Sequence, residues 1–298
     1  MTIVIIMTHQ LFRNIAMSDT HVTAPTRFVD IEGSRFAYRR WGTTDTAQPP
    51  VLLLQHFRGG MDNWDPLLTD GLAASREVIL YNYRGCASST GTPRNRLEDM
   101  AEDAFKFIGA LKLAQVDVLG FSLGGAVAQD LARLYPQVVR KALLLGTGPR
   151  GSVPAENPES VLKVAINPVP TQEDFLFLFF GRSEAAVQAG KEFWARRHER
   201  ADQDTPSSPE LMMTQAEAMQ AAYTSVDPNS PFAHLKDIKQ PTLILNGNDD
   251  VMIPSINSWH MVQNIPNAQL LIYPDAGHGA QFQYPQRFLQ HATQFLAE

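Results

Sequence analysis

Residues Asp117–Asp130 read DVLGFSLGGAVAQD, an apolar run broken by one small hydroxyl, Ser122, set between Gly120 and Gly124. The residues before it, Val116 to Phe121, have the length and apolar character of a strand buried on both faces. The residues after it, Gly125 to Tyr135, read GAVAQDLARLY and run as a helix to Pro136. The stretch therefore predicts a strand that turns straight into a helix, with a serine on the turn. Side chains flanking so sharp a bend would collide with neighbouring elements, which accounts for glycine at both places. A hydroxyl there stands at a helix N-terminus, where unpaired amides and the helix dipole favour negative charge developing beside it.

Working outward, the strand signal recurs in PPVLLLQHF (49–57), EVILYNYRG (77–85), KALLLGT (141–147), TLILNG (242–247) and QLLIYPD (269–275). Continuous apolar runs of this length fit strands covered on both faces, as in a parallel sheet. Ahead of them RFVDIEGSRFAYRRW (27–41) alternates apolar and polar residues about Glu32-Gly33 and reads as a hairpin. Leu97 to Leu113 places Met100, Ala104, Phe105, Ile108 and Leu111 at helical spacing. The fold class is α/β, with a mostly parallel central sheet flanked by helices. Between residues 149 and 240 the strand rhythm stops and helical sequence replaces it: TQEDFLFLFFG, SEAAVQAGKEFWARRHERA and SPELMMTQAEAMQAAY. This predicts a helical cap of residues 149–240, inserted after the sixth core strand, over a core of residues 26–148 and 241–298.

The 298 residues, 44% of them hydrophobic, can bury a sizeable core. A net charge of -6 without a long basic block argues against a nucleic-acid partner. One cysteine, Cys86, makes an internal disulfide impossible, and no Cys/His cluster has zinc-ligand spacing, so neither a metal nor a cofactor is expected and cytoplasm is the expected location. Ile3 to Met7 is apolar but short, lacks a basic n-region and precedes no cleavage pattern, so it is not read as a signal peptide. No stretch approaches the roughly 20 apolar residues of a spanning helix. Residues 1–25 are expected to be an extension without a firm link to the rest, either disordered or an over-called start, with Met17 opening a second plausible start.

A serine hydroxyl is a poor nucleophile unless a base takes its proton, so a catalytic Ser122 requires a histidine and a carboxylate elsewhere. Of the eight histidines, His278 lies in PDAGHG just past the last apolar run, where Gly277 and Gly279 let the loop turn back over the sheet. His198 (RRHER) sits in a charged run and reads as solvated. His9 and His21 fall in the doubtful N-terminal segment, His291 in a terminal amphipathic helix, and His234 and His260 in apolar settings that suit packing. For the carboxylate, NGNDDVMIP after the 242–247 run offers Asp250, with Asp249 as its near competitor. Asp275 reads as a turn former.

The order Ser122, Asp250, His278, with G-F-S-L-G on a strand-turn-helix, resembles the α/β-hydrolase superfamily over nearly the whole chain after residue 25. That family commonly places its acid in G-x-x-D-x-x-x-P, matched by Gly247, Asp250 and Pro254, and its histidine in a G-H pair, matched by Gly277-His278. The resemblance implies an oxyanion hole made by the backbone amides of Phe57 and Leu123. The usual H-G-x-x-G is here QHFRGGMDNW, so Gln55 stands where His is usual and His56 where Gly is usual, which makes His56 a structural residue near the chemistry. In YNYRGCAS the family often shows D-x-R-G-x-G-x-S, so Asn82 and Ala87 replace Asp and Gly, and Cys86 reads as a packing residue.

The resemblance implies that His278 takes the Ser122 proton as the hydroxyl attacks a carbonyl, with Asp250 orienting the imidazole and water releasing the acyl group. Haloalkane dehalogenases and epoxide hydrolases resemble this fold but place aspartate at the nucleophile position, so a serine favours hydrolysis of an ester or lactone. The expected partner is a small to medium hydrophobic substrate; oligomeric state is unspecified. Phe175, Phe177, Phe179, Phe180, Phe193 and Trp194 supply aromatic bulk, more as core than as pocket. Arg58 reads as a surface salt bridge, with a substrate carboxylate as the other possibility. The same groups also fit carbon-carbon bond hydrolases, cofactor-free haloperoxidases or perhydrolases, and a ligand-binding signalling member of the fold with little turnover.

Overall fold

The computed structural model describes residues 19–44, 47–224 and 226–298. A two-residue turn opens the sheet: Glu32 and Gly33 both take positive φ (50° and 75°), the geometry whose twist suits a tight hairpin, and join β1 (Arg27–Ile31) to β2 (Ser34–Gly42). Then come β3 (Val51–Leu54), α1 (Pro66–Ala73), β4 (Glu77–Tyr81), α2 (Leu97–Ala110), β5 (Val116–Phe121), α3 (Leu123–Leu134) and β6 (Val139–Leu145). Four helices follow, α4 (Pro158–Ala165), α5 (Gln172–Phe179), α6 (Glu184–Arg196) and α7 (Pro209–Thr224). The chain ends with β7 (Thr242–Gly247), α8 (Ile256–Asn264), β8 (Ala268–Tyr273), α9 (Ala280–Gln283) and α10 (Pro285–Ala297).

The strands form one eight-stranded sheet in the order β1-β2-β4-β3-β5-β6-β7-β8. Pairing is antiparallel at β1/β2 and β2/β4 and parallel from β4 to β8. The apolar runs are continuous because alternate residues serve opposite faces. Leu52, Val118, Leu144 and Ile244 join one core cluster with α2 and α3, whereas Leu53, Leu119, Leu143 and Leu245 join the other with α1 and α10. The run at 269–275 differs: β8 pairs with β7 alone and is partly exposed along its length, so it is an edge strand, not one buried on both faces.

The four helices between β6 and β7 are anchored on both faces. Phe193 of α6 stacks on Phe282 of α9 at 4.6 Å between ring centroids, while Leu211, Ala218 and Ala222 of α7 join the cluster on the α2 side. Residues 19–25 also depart from expectation. Burying apolar and hydrogen-bonding groups ties them down: the His21 amide donates to Asp70 Oδ1 (2.7 Å), Arg200 donates to the Val22 and Ala24 carbonyls (2.7 and 3.0 Å), and Ala24 is fully buried. The expectation for residues 1–18, including a second start at Met17, lies outside the described residues. Among the described residues no helix is long and apolar enough to cross a membrane.

Candidate active site

Parallel strands deliver the loops that follow them to one edge of the sheet, and the residues singled out by sequence follow β3, β5, β7 and β8. Ser122 sits between β5 and α3 with φ 55° and ψ -117°, a conformation that costs a non-glycine residue about 1–3 kcal/mol. Close packing enforces the bend. A Cβ on Gly124 would lie 2.0 Å from the Leu54 carbonyl oxygen, and one on Gly120 would lie 2.2 Å from the Gly124 oxygen. The first approach also presses the start of α3 against the end of β3, which brings the 55–57 loop beside Leu123.

Asp250 is buried in the loop after β7. Its Oδ1 accepts from the Met252 and Ile253 amides (2.8 and 2.9 Å), and its Oδ2 accepts from His278 Nδ1 (2.8 Å). Because a carboxylate only accepts, Nδ1 carries the hydrogen and the neutral ring offers Nε2 as a bare acceptor. That Nε2 is buried and has no hydrogen-bond partner among the described residues. Asp249 is exposed, and its amide donates to the Ala276 carbonyl (2.9 Å), which ties the acid loop to the histidine loop. Asp275 serves its turn with φ 49° and accepts from Ser183 Oγ (2.5 Å).

His278 and Ser122 line the same cavity, of about 390 Å³. The Phe121 ring lies 5.0 Å from the His278 ring, and the Gly279 amide donates to the Phe179 carbonyl (2.7 Å), so α5 holds the histidine loop from the opposite side. Phe57 lines the cavity from the β3 loop, and Leu123 is the first residue of α3, whose N–H has no partner within the helix. His56 is buried against Phe121 and Phe179 (ring centroids 5.5 and 5.3 Å) and donates from Nδ1 to the Phe57 carbonyl (2.8 Å). Burial holds its imidazole down to about 3, so it stays neutral. Burial likewise pushes the Cys86 thiol up to about 12, in keeping with a packing role.

Of the aromatic residues in the inserted helices, Phe175, Phe179 and Trp194 line the cavity, Phe180 and Phe193 are buried in the core, and Phe177 is 41% exposed. Arg58 makes neither a surface salt bridge nor a free cation; its guanidinium donates to the Ala165, Asn167 and Pro168 carbonyls (3.0, 2.8 and 3.3 Å) at the C-terminal end of α4 and just past it. The RRHER run is only partly solvated. His198 is exposed, but Arg196 pairs with Asp65 (2.7 Å), Arg200 is buried, and Arg197 turns into the cavity. Sequence reading missed Arg197 because a charged run at a helix end does not show which side chain the last turn sends inward.

Fold and site together place the chain among hydrolases built on a mostly parallel α/β sheet. It belongs to the alpha/beta hydrolase fold family, whose model matches residues 49–285. It is similar to an alpha/beta hydrolase fold protein from Chitinophaga pinensis, with 34% identity, a TM-score of 0.86 and coverage of 93% of this chain and 99% of that one. It is 26% identical to the 2-hydroxy-6-oxo-6-phenylhexa-2,4-dienoate hydrolase of Burkholderia cepacia, over 94% of this chain and 99% of the relative. The enol-lactonase of Burkholderia xenovorans LB400 shares the fold, with a TM-score of 0.73 and 18% identity over 91% of this chain and 100% of that one.

Proposed function

We propose that the chain is a serine hydrolase that cleaves an ester or lactone of a small to medium hydrophobic substrate through an acyl-enzyme. The observation that carries this reading is the His278 ring, fixed by Asp250 at Nδ1 and bare at Nε2, on the cavity that also holds Ser122. Ser122 attacks the carbonyl as His278 takes its proton, and Asp250 stabilises the imidazolium that results. The amides of Phe57 and Leu123 receive the oxyanion, and residues 149–240 act as the cap that sets substrate choice. The lining contributed by Phe57, Phe175, Leu178 and Phe179 supports an apolar acyl group. The lone buried cysteine supports a cytoplasmic location. A second reading, hydrolysis of a carbon-carbon bond by the same groups, is favoured by the Burkholderia cepacia relative.

A fluorophosphonate probe, p-nitrophenyl esters and a lactone panel test the proposal. Covalent labelling and turnover are expected in the wild type and absent in Ser122→Ala. Labelling that persists in the variant would assign the nucleophile elsewhere, and turnover of a dienoate ketone with none of any ester would select the second reading.

A further inference from the structure

Each acid that lines the cavity is matched by donors. Asp62 pairs with Arg39 and accepts from the Asp204 amide (2.6 Å). Asp174 accepts from Asn167 Nδ2 and the Thr171 amide (2.7 and 2.8 Å), and Asp204 from Asn82 Nδ2 and Ser88 Oγ (2.5 and 2.9 Å). Arg58 spends its guanidinium on carbonyls. Arg197 is different. Its Nε and Nη1 are buried without a hydrogen-bond partner among the described residues, and no ion pair there includes it. The guanidinium lies over the Phe175 ring (4.5 Å to the centroid) and the Trp194 ring (5.0 Å). These cation–π contacts supply no hydrogen-bond acceptor, so the Nε and Nη1 donors stay unmet.

Burial brings the Arg197 pKa down to about 10, with the charge of Asp62 offsetting part of the loss, which leaves it charged at neutral pH. Two buried donors on one edge of a cation, left without acceptors, cost free energy that a planar anion within reach of that edge would recover. The rings that hold it are walls of the cavity that contains Ser122 and His278.

We propose that Arg197 binds a carboxylate carried by the substrate at a distance from the scissile carbonyl, which makes the substrate a hydrophobic ester or lactone with a second, ionised end. The proposal deepens the hydrolase reading and rests on it for the word substrate; the anion site itself stands on the arginine. Two experiments separate these. In Ser122→Ala protein, calorimetric titration with 5-phenylvalerate and with its uncharged primary amide is expected to show the carboxylate binding about tenfold or more tighter. That difference should collapse to under about twofold in Ser122→Ala/Arg197→Met and survive in part in Ser122→Ala/Arg197→Lys, which keeps the charge. With an active serine, the mono-p-nitrophenyl ester of adipic acid is compared with p-nitrophenyl hexanoate. The wild type is expected to favour the anionic ester in kcat/KM, and Arg197→Met to lower that ratio about tenfold. No carboxylate preference in the wild type, or a ratio unmoved in Arg197→Met, overturns the proposal. Carboxylate-over-amide binding with turnover of neither ester supports the anion site and counts against the hydrolase reading; turnover of both esters without preference does the reverse.

Discussion

The side-chain amide of Asn82 donates to Asp204 Oδ2 at 2.5 Å, and its carbonyl accepts from the Met61 amide at 2.8 Å. One neutral side chain thus joins the end of β4 to the loop before α7, which explains why asparagine stands where the family often has aspartate: an aspartate here would face the Asp204 carboxylate. Asn82→Asp is expected to destabilise the protein by about 2–3 kcal/mol at pH 7, through a lost donor and a like-charge contact. The pair's folded-state pKa would be raised, so the penalty acts above that pKa and fades as pH falls and a shared proton restores the bond. Urea unfolding of both proteins at pH 7.5 and 4.5 checks this; a penalty that grows on acidification contradicts it.

The bend at Ser122 makes a separate claim about stability. Alanine and serine meet the same steric conflict at φ 55°, whereas glycine does not. Ser122→Gly should therefore be more stable than Ser122→Ala by about 1 kcal/mol, even though glycine gains more freedom on unfolding. Both variants are expected to lose activity by roughly three orders of magnitude or more. Equal denaturation midpoints would show that the bend stores no strain.

Asp249 and Asp250 are adjacent in sequence and opposite in environment, one exposed and one buried against His278. Asp250→Asn is expected to lower kcat by roughly 10⁴, because an amide at that place no longer fixes the imidazole tautomer. Asp249→Asn should leave kcat within about twofold. Steady-state kinetics of the two variants on one activated ester decides between them, and the reverse pattern would transfer the orienting role to Asp249.

What could be read before the structure was local. The strands β3 to β7 announce themselves because both faces are buried, and the bend at Ser122 does so because Gly120 and Gly124 each abut backbone. The spacing of Gly247, Asp250 and Pro254 belongs to one loop and is equally visible. Arg197, Arg58 and His21 were not legible, since their partners come from distant segments. Arg58 reaches carbonyls at the end of α4, His21 leans on Asp70, and Arg197 packs on two rings, Phe175 and Trp194. The same charged composition, RRHER, yields an exposed histidine, an ion-paired arginine, a half-buried one on the cavity and a buried one, and only tertiary packing separates these outcomes.

Cys86 offers a clean probe of opening. Its sulfur is buried beside the Gly59 carbonyl and Ser207 Oγ (3.6 and 3.5 Å), and burial pushes its pKa up to about 12. Ellman's reagent at pH 8 is expected to find no reactive thiol in the native protein and one per chain in denaturant. Native labelling that competes with denatured labelling would place the thiol at the surface.

Acid sensitivity follows from histidines that burial keeps neutral; of these, His56 and His21 are the most deeply buried, and His234 is likewise held down to about 4. Loss of hydration holds His56 down to about 3 and His21 to about 4, against 6.5 for the free side chain. An unfolded chain therefore takes up protons near pH 6.5 that the folded chain refuses until about pH 4 or below. With the unfolded state binding more protons across that window, stability is full above pH 6.5 and falls as pH drops through it, by about 1.4 kcal/mol per pH unit for each histidine once titration is complete. His56→Phe puts an apolar ring among Phe121 and Phe179 and gives up the bond to the Phe57 carbonyl, so it should unfold more readily at pH 7.5 yet lose less on going to pH 5. Urea midpoints at half-unit steps between those pH values test the slope. Parallel curves for wild type and variant would mean that His56 titrates alike in the folded and unfolded chains, and that burial does not hold its imidazole down.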